Sequence, residues 1–213
     1  MWACHTTIAL KENNMAYYFK GARILAPLSI TSNEPIFDVD TISLSKQRAT
    51  QGAQRWELSF NVVTSDADEA DILVGMIDGI TVAETMVMPQ LPSVARNNTS
   101  SVVLAINSGA SAGSTTVSVV SDGVISKGSF VKFSNHTKIY MVTEAVGSGT
   151  VDVSIYPALR ENVTPSHTFN TSNSSASTVS LSYYRDVSNL RGLRFSDGLL
   201  SSPGVVNLVE AIV

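Results

Sequence analysis

The sequence has almost no cysteine and little charge. Cys4 is the only cysteine among 213 residues, so no disulfide can form within the chain and no cysteine-based zinc site can be built. Charged residues make up 15% of the chain, whereas an average domain has about 25%. No cluster of Lys and Arg occurs, so nucleic acid is not an expected partner. No apolar run approaches the ~20 residues that span a bilayer, so membrane insertion is not expected either.

Recognisable catalytic chemistry is also missing. The three histidines, His5, His136 and His167, stand in no motif with the spacing of metal ligands. No serine nucleophile elbow and no glycine-rich phosphate loop is predicted. Enzymes usually gather titratable groups with perturbed pKa values in one site. A charge-poor chain of this kind is therefore predicted not to be an enzyme, and no cofactor or metal is expected.

Alternating apolar and polar residues predict strands outside the middle of the chain. The clearest strand covers residues 55–63, in which Trp56, Leu58, Phe60 and Val62 lie on one face and predict a buried side. Further strands are predicted over residues 24–30, 39–46, 178–185 and 204–213.

One helix is predicted over residues 64–79. Thr64 and Ser65 can cap its start, and Gly79 can end it in a left-handed conformation. Its apolar face consists of Ala70, Leu73, Val74 and Ile77, which recur with helical spacing. The carboxylates of the first turn are Asp66, Asp68, Glu69 and Asp71. Because the helix dipole favours anions at this end, the cluster is interpreted as capping and solvated charge rather than a metal site.

The composition changes near residue 97 to Ser, Val, Gly and Thr with few charges. Five strands are predicted in this part, over residues 102–106, 115–121, 129–134, 138–145 and 150–156, with turn residues between them. Five short antiparallel strands have the size of a small barrel such as an OB-fold. The Ser/Thr/Asn-rich stretch 166–177 is predicted to be a loop.

The predicted fold is mainly β with one short helix, and it consists of a split β-sandwich or barrel core with an inserted small OB-like β-barrel. Residues 16–96 are expected to begin the core, 97–157 to form the inserted barrel, and 158–213 to complete the core. Residues 1–15 are interpreted as an upstream or non-native extension, because Met15 begins a more typical protein start.

Aromatic residues of the predicted barrel allow two interpretations. OB-like barrels often bind oligosaccharides, and aromatic rings on their surface can serve as stacking platforms. The candidates for glycan contact are Phe130, Phe133, Tyr140 and Tyr156. Period-two spacing, however, places Tyr140 on one face with Val142 and Phe133 on one face with Val131. The favoured interpretation is therefore that alternate members fill the barrel.

Two segments carry a resemblance to a known family. The first is Arg48–Phe60, which reads R-x-x-x-G-x-x-R-W-x-L-x-F. The second is Lys127–Thr143, which contains Lys-Gly-Ser-Phe and Lys-Ile-Tyr, followed by Val153–Leu159 with its Tyr-Pro-Ala-Leu ending. This second segment resembles the inserted-domain signature of distal tail proteins of long-tailed bacteriophages, with Ser129 at a position where Asp is usual. The order of elements also matches, and the resemblance covers about residues 17–197.

The resemblance implies a structural role in the virion. Proteins of that family form a hexameric ring at the distal end of the tail tube, in which the core closes the ring and the inserted barrels project outward. The ring links the tube to the hub, baseplate or receptor-binding apparatus. The implied partners are five further copies of the chain, the tail tube protein and the tail hub proteins, and assembly would take place in the host cytoplasm. The alternative is a carbohydrate-binding module or host-surface adhesin that uses the barrel.

Overall fold

The structure is a computed structural model. It describes residues 17–40, 46–50, 52–63, 75, 78–91, 93–94, 103–171, 179–186, 194–196, 199–202 and 204–212. Nearly all of the regular structure in these ranges is strand, and helical positions occur only at 75, 93 and 94. The predicted mainly β class is confirmed.

In chain order the strands are β1 (Tyr18–Phe19), β2 (Ala22–Asn33), β3 (Ile36–Asp40), β4 (Lys46–Thr50), β5 (Arg55–Val62), β6 (Glu84–Val87), β7 (Val103–Ile106), β8 (Thr116–Ser121), β9 (Phe130–Phe133), β10 (Ile139–Val142), β11 (Gly149–Tyr156), β12 (Thr168–Thr171), β13 (Ser180–Arg185), β14 (Arg194–Ser196), β15 (Leu199–Ser202) and β16 (Val206–Glu210). They form a six-stranded sheet, a closed barrel and two separate hairpins, β3-β4 and β14-β15.

The six-stranded sheet has the order β1-β2-β5-β16-β13-β6, and every neighbouring pair is antiparallel. Strand β5 follows the predicted alternation, since Trp56, Leu58, Phe60 and Val62 are all buried. The C-terminal β16 lies between β5 and β13, so residues 206–210 complete a sheet that begins with residues 18–19. The expected split core is present.

The two edge strands of the sheet approach each other. Lys20, directly after β1, places its Nζ 2.7 Å from Asp78 and 3.4 Å from Glu84, which opens β6. The hydroxyl of Tyr17 donates a 2.6 Å hydrogen bond to the carbonyl oxygen of Gln90. The sheet therefore curls around its apolar face, and Phe19 and Tyr183 pack inside it with ring centroids 5.9 Å apart.

The inserted unit is a closed barrel with the order β10-β11-β8-β7-β12-β9. Its interior contains Phe133, Tyr140 and Phe169, which have no exposed surface, together with valines of β8, β9, β10 and β11. The five strands predicted in this region are present, each shifted by no more than three residues at its ends. The predicted inserted barrel is thus found.

Three predictions about the inserted barrel need correction. The barrel has six strands rather than five, because β12 (Thr168–Thr171) lies between β7 and β9. The insertion therefore extends beyond residue 157, and part of the predicted loop 166–177 is strand. Strand β12 has a single apolar residue, Phe169, so no alternation marks it in the sequence. Of the predicted strand 39–46, residues 39 and 40 end β3 and residue 46 begins β4, which pairs with β3, while residues 41–45 lie outside the described residues.

The predicted helix over 64–79 lies largely outside the described residues, which include only positions 75, 78 and 79 of it. Residue 75 is helical, and Gly79 has a φ of +80°, as expected for a left-handed helix end. In the described ranges, no helix has the length and apolar character needed to cross a membrane.

Replacement of Gly79 is expected to destabilise the protein for two reasons. Alanine is strained at a φ of +80°, and its Cβ would lie 2.9 Å from Cε2 of Tyr183. The control is Gly113→Ala, where φ is +88° but no atom lies within 4 Å of the added Cβ. We expect urea unfolding to show a loss of about 1–2 kcal/mol for Gly113→Ala and about 2–4 kcal/mol for Gly79→Ala. Equal losses would contradict the steric argument.

Candidate functional site

The carboxylate of Glu210 joins the barrel to the sheet. Its side chain has no exposed surface, and Oε2 lies 2.6 Å from Nζ of Lys138, whose side chain is 3% exposed. Two backbone amides also donate to this carboxylate: Ile139 N to Oε1 at 2.8 Å and Trp56 N to Oε2 at 3.0 Å. The buried carboxylate of Glu210, at the end of β16, therefore links this strand to β5 through Trp56. It also links β16 to the start of the barrel strand β10 through Lys138 and Ile139.

Burial lowers the pKa of Lys138, and the charge and hydrogen bond of Glu210 oppose that shift. The ammonium also lies 5.8 Å from the centroid of the Trp56 ring, within reach of a cation–π interaction. A buried charge is tolerated when it is paired and its remaining hydrogen-bonding groups are satisfied. The arrangement around Glu210 meets this condition through one cation and two amides.

Trp56 is the main apolar contact between the two units. Its indole N–H donates a 2.9 Å hydrogen bond to the carbonyl oxygen of Ile139 in the barrel. Its ring packs edge-on against Phe130 and Tyr156, with centroid distances of 5.3 and 6.3 Å. Because Phe130 and Ile139 belong to the same buried cluster as the sheet core, the outer face of the barrel closes that core.

Polar contacts surround this apolar centre. Nζ of Lys132 donates to the carbonyl oxygen of Ser180 at 3.0 Å, and burial lowers the pKa of this lysine. The hydroxyl of Thr137 donates to Ala211 O at 3.2 Å. On the opposite side, the hydroxyl of Tyr156 donates to Glu34 at 2.9 Å. The barrel is thus attached at several points to strands that come from both ends of the chain.

The four candidates for glycan contact do not form a stacking platform. Phe133 and Tyr140 fill the barrel and have no exposed surface, as the favoured interpretation requires. Phe130 is 6% exposed and lies in the junction, while Tyr156 is partly buried against the same junction. A ring whose faces are covered cannot stack on a sugar, so the structure corrects this assignment for Phe130, Phe133 and Tyr140.

Tyr140 forms a small hydrogen-bonded unit inside the barrel. Its hydroxyl accepts a 3.0 Å hydrogen bond from the backbone N–H of Arg160 and lies 2.8 Å from Nε2 of His136. If the hydroxyl donates to Nε2, the proton of the neutral imidazole is on Nδ1. Burial lowers the pKa of His136 and raises that of Tyr140 to about 12, so both groups stay neutral near pH 7. The His136 ring also stacks on Phe133, with ring centroids 5.9 Å apart, so this unit is packed against the interior of the barrel.

Other candidate residues do not converge on a reactive site. His167 accepts a hydrogen bond from Thr164 N in an exposed turn, and His5 and the carboxylates at 66–71 lie outside the described residues. In the described part of the chain, no three His, Cys, Asp or Glu side chains come close enough to hold a metal ion. The stretch Gly109–Gly113 does have the G-x-S-x-G spacing of a nucleophile elbow. It connects β7 to β8, however, whereas an elbow connects a strand to a helix.

An exposed apolar surface lies on the β3-β4 hairpin, which pairs with no other described strand. Phe37 and Val39 are 57% and 61% exposed, and they share one face because they are two residues apart. The opposite face carries Asp38, which lies 3.5 Å from Arg48 and 3.8 Å from Lys46. The hairpin therefore has a charged face and an apolar face, and the apolar face is open to solvent.

Sequence reasoning found some of these residues and missed others. Trp56 was predicted to be buried from the alternation of its strand, and the structure confirms it. Glu210 was missed, although a signal exists: it continues the period-two face of Val206 and Leu208, where a carboxylate is out of place unless it is paired. Lys138 is the lysine of the Lys-Ile-Tyr motif, and nothing in the sequence assigns it a partner. No protein-family model matches the chain, and a search of curated proteins finds no match.

Removal of the Glu210 charge should destabilise the fold strongly. Glu210→Gln leaves the Lys138 ammonium buried without a counter-charge, and we expect a loss of about 3–5 kcal/mol in unfolding free energy. The matched control is Glu57→Gln, since Glu57 pairs with Arg55 at 3.2 Å at the surface and should lose no more than about 1 kcal/mol. The double variant Glu210→Gln/Lys138→Met should recover part of the loss. Similar urea midpoints for the two single variants would refute this role of Glu210.

The buried phenol of Tyr140 predicts a loss of stability at alkaline pH. Its pKa is about 12 in the folded protein, against an ordinary value of 10.0. Below pH 10 the phenol is protonated in both states and its contribution is complete. Between pH 10 and 12 only the unfolded state releases the proton, so stability falls, by roughly 2–3 kcal/mol in total. Urea titrations from pH 9 to 11.5 should show a shallower decline for Tyr140→Phe than for the wild type, and identical slopes would contradict the assignment.

Proposed function

We propose that this protein is a structural subunit of a bacteriophage tail. In this proposal six copies form a ring at the distal end of the tail tube, and the ring joins the tube to the hub, baseplate or receptor-binding apparatus. The protein belongs to the virion, and its partners are further copies of itself, the tail tube protein and the tail hub proteins. It is not an enzyme.

The observation that carries the proposal is the exposed apolar face of the β3-β4 hairpin. A two-stranded hairpin alone is at best marginally stable in water. This hairpin nevertheless exposes more than half of Phe37 and of Val39. Contiguous exposed apolar surface commonly marks a site of protein–protein contact. A neighbouring copy that covers this face would stabilise the hairpin and remove the apolar surface from water.

The charge distribution supports the same proposal. Interface cores are depleted in charged residues, and this chain has only 15% of them. A closed ring uses one face of each copy against a different face of the next, so large neutral surfaces are needed at two places. The resemblance of Lys127–Leu159 to distal tail proteins and the insertion of a barrel into a split β core point in the same direction.

Three of the four predicted stacking rings for the alternative function of carbohydrate binding, Phe130, Phe133 and Tyr140, are buried. The fourth, Tyr156, is partly buried. Sugar recognition would need a different surface, and the tail-ring proposal therefore has the stronger support.

Assembly of the purified chain tests the proposal. Light scattering of the chain alone should give a mass about six times the 22.7 kDa of one chain. If the ring forms only with the tail tube protein, the mass of the bound tube protein is added to this value, and negative-stain images should show rings in either case. Phe37→Asp should leave a folded monomer, because it places a charge on the face that the neighbouring copy covers. The matched control is Val120→Asp, which alters an exposed valine of the barrel strand β8 and should leave the ring intact.

Three results would refute the proposal. The first is a strictly monomeric chain in the presence of the tube protein. The second is a ring that forms equally well with Phe37→Asp, and the third is a ring lost equally with Val120→Asp. Circular dichroism of both variants establishes that any loss of assembly is not a loss of folding.

A further inference from the structure

Strand β2 has an open side along its second half. It runs over Ala22–Asn33, and β5 pairs with it on one side. On the other side, the two-residue strand β1 pairs only with the first two residues of β2. No other described strand pairs with β2, so residues 29–33 form an open edge of the six-stranded sheet.

Two hydrogen bonds of the β5 backbone show which main-chain groups reach this edge. Successive residues of an antiparallel strand direct their N–H and C=O to alternate sides of the strand. The N–H of Val63, directly after β5, donates to the carbonyl oxygen of Arg23 in β2 at 2.8 Å. The N–H of Trp56 points the other way and donates to Glu210 of β16 at 3.0 Å. The odd-numbered residues of β5 therefore face β2.

Two residues of β2 consequently direct both of their main-chain groups outward. Ser29 and Thr31 lie opposite odd-numbered residues of β5 and therefore face that strand. Ile30 and Ser32 alternate with them, so their N–H and C=O groups point to the open edge. Such a row of main-chain groups is a template for the addition of a further strand.

This stretch of the edge lacks the features that usually block strand addition. Natural sheets protect an exposed edge with charged side chains, proline or a β-bulge. Strand β2 contains Pro27 and a break in register between Leu25 and Ser29, but both features precede the open stretch. Residues 29–33 read Ser-Ile-Thr-Ser-Asn and include neither charge nor proline. The open stretch is therefore suited to pairing.

Strand β3 of the hairpin has the side-chain pattern that fits this edge. Ile30 packs against the buried core of the sheet, whereas Thr31 is exposed on the other face. In β3, Phe37 and Val39 share the apolar face and Asp38 lies on the charged face. Residues directly opposite in an antiparallel pair have their side chains on the same face. Pairing of β3 with β2 would therefore place apolar beside apolar and polar beside polar.

The hairpin also needs a third strand, and its own chain does not supply one. A two-stranded hairpin is at best marginally stable in water, and a third strand with an apolar face stabilises it. Only two residues separate β2 from β3, yet β3 pairs with β4 and not with the β2 of its own chain. Each copy thus has one donor strand and one acceptor edge on different surfaces. A contact between different surfaces is the kind that closes a ring.

We propose that β3 of one copy adds as an antiparallel strand to the β2 edge of the next copy. Ile30 and Ser32 supply the main-chain hydrogen bonds. The apolar face of β3 covers the open side of Ile30, and the charged face of the hairpin remains in solvent. Main-chain pairing gives affinity and the alternating side chains give register, as in other cases of strand addition. This inference rests on the ring proposal and specifies the contact between its copies.

Cross-linking between two co-expressed chains tests the contact directly. Both chains carry Cys4→Ser, which removes the only cysteine. One also carries Thr31→Cys and the other Asp38→Cys, on the polar faces of β2 and β3. A short bismaleimide should join them into a product of about twice the 22.7 kDa of one chain on a denaturing gel. Either chain expressed alone should give no such product. The matched control is Thr150→Cys, an exposed threonine of β11, which should not link to Asp38→Cys.

A proline variant tests the main-chain hydrogen bonds. Ile30→Pro removes an N–H that points to the open edge, and proline is tolerated in edge strands at such positions. The ladder between β2 and β5 loses no hydrogen bond. Light scattering should therefore show a monomer with the circular dichroism of the wild type. The control Ile30→Val keeps the N–H and should assemble as the wild type does.

Three results would overturn this contact. The first is cross-linking of Thr31→Cys chains with each other, which would show that two β2 edges pair about a twofold axis. The second is equal assembly of Ile30→Pro and Ile30→Val. The third is the absence of a product between Thr31→Cys and Asp38→Cys. The cross-link needs no change at Ile30, so it decides the question even if Ile30→Pro does not fold.

Failure of this contact can be told apart from failure of the ring proposal. Rings in negative-stain images without the cross-linked product would overturn the contact and leave the ring. The cross-linked product in open filaments without closed rings would support the contact and refute the ring.

Discussion

The pairing of Glu210 with Lys138 is the interaction on which the architecture depends. An unpaired carboxylate in this position would be prohibitively costly, because its side chain has no contact with water. It becomes tolerable only when β16 lies beside β5 and the barrel strand β10 lies against both, so that Trp56 N, Ile139 N and Lys138 Nζ all reach it. The charge therefore favours one arrangement of barrel and sheet over others that would bury a similar apolar area.

The apolar part of the junction has a different consequence. Trp56, Phe130 and Tyr156 meet edge-on rather than face to face, and the cleft beside them is lined by the same tryptophan and phenylalanine. An apolar cleft therefore lies directly beside the contact that holds the barrel against the sheet. The exposed hairpin lies on a separate part of the chain, so the molecule has two distinct regions with apolar surface to cover.

Individual strands differ in how much of them could be predicted. Strand β5 was predictable because four apolar residues alternate with polar ones, and the structure buries all four. Strand β12 was not, because Phe169 alone is apolar and its neighbours are typical of loops; only its pairing with β7 and β9 makes it a strand. The aromatic residues of β9 and β10 show the same limit. Spacing placed Phe133 and Tyr140 on inward faces, but it could not show that Phe130, on the outward face of β9, is covered by the sheet.

The sequence by itself determined the mainly β class, because strands follow from local periodicity. It also determined the existence of an inserted barrel, which follows from turn residues and the change in composition, and the low content of charged residues. Only the tertiary structure decided how the two units meet, since Glu210 and Lys138 are far apart in the chain and no local pattern pairs them.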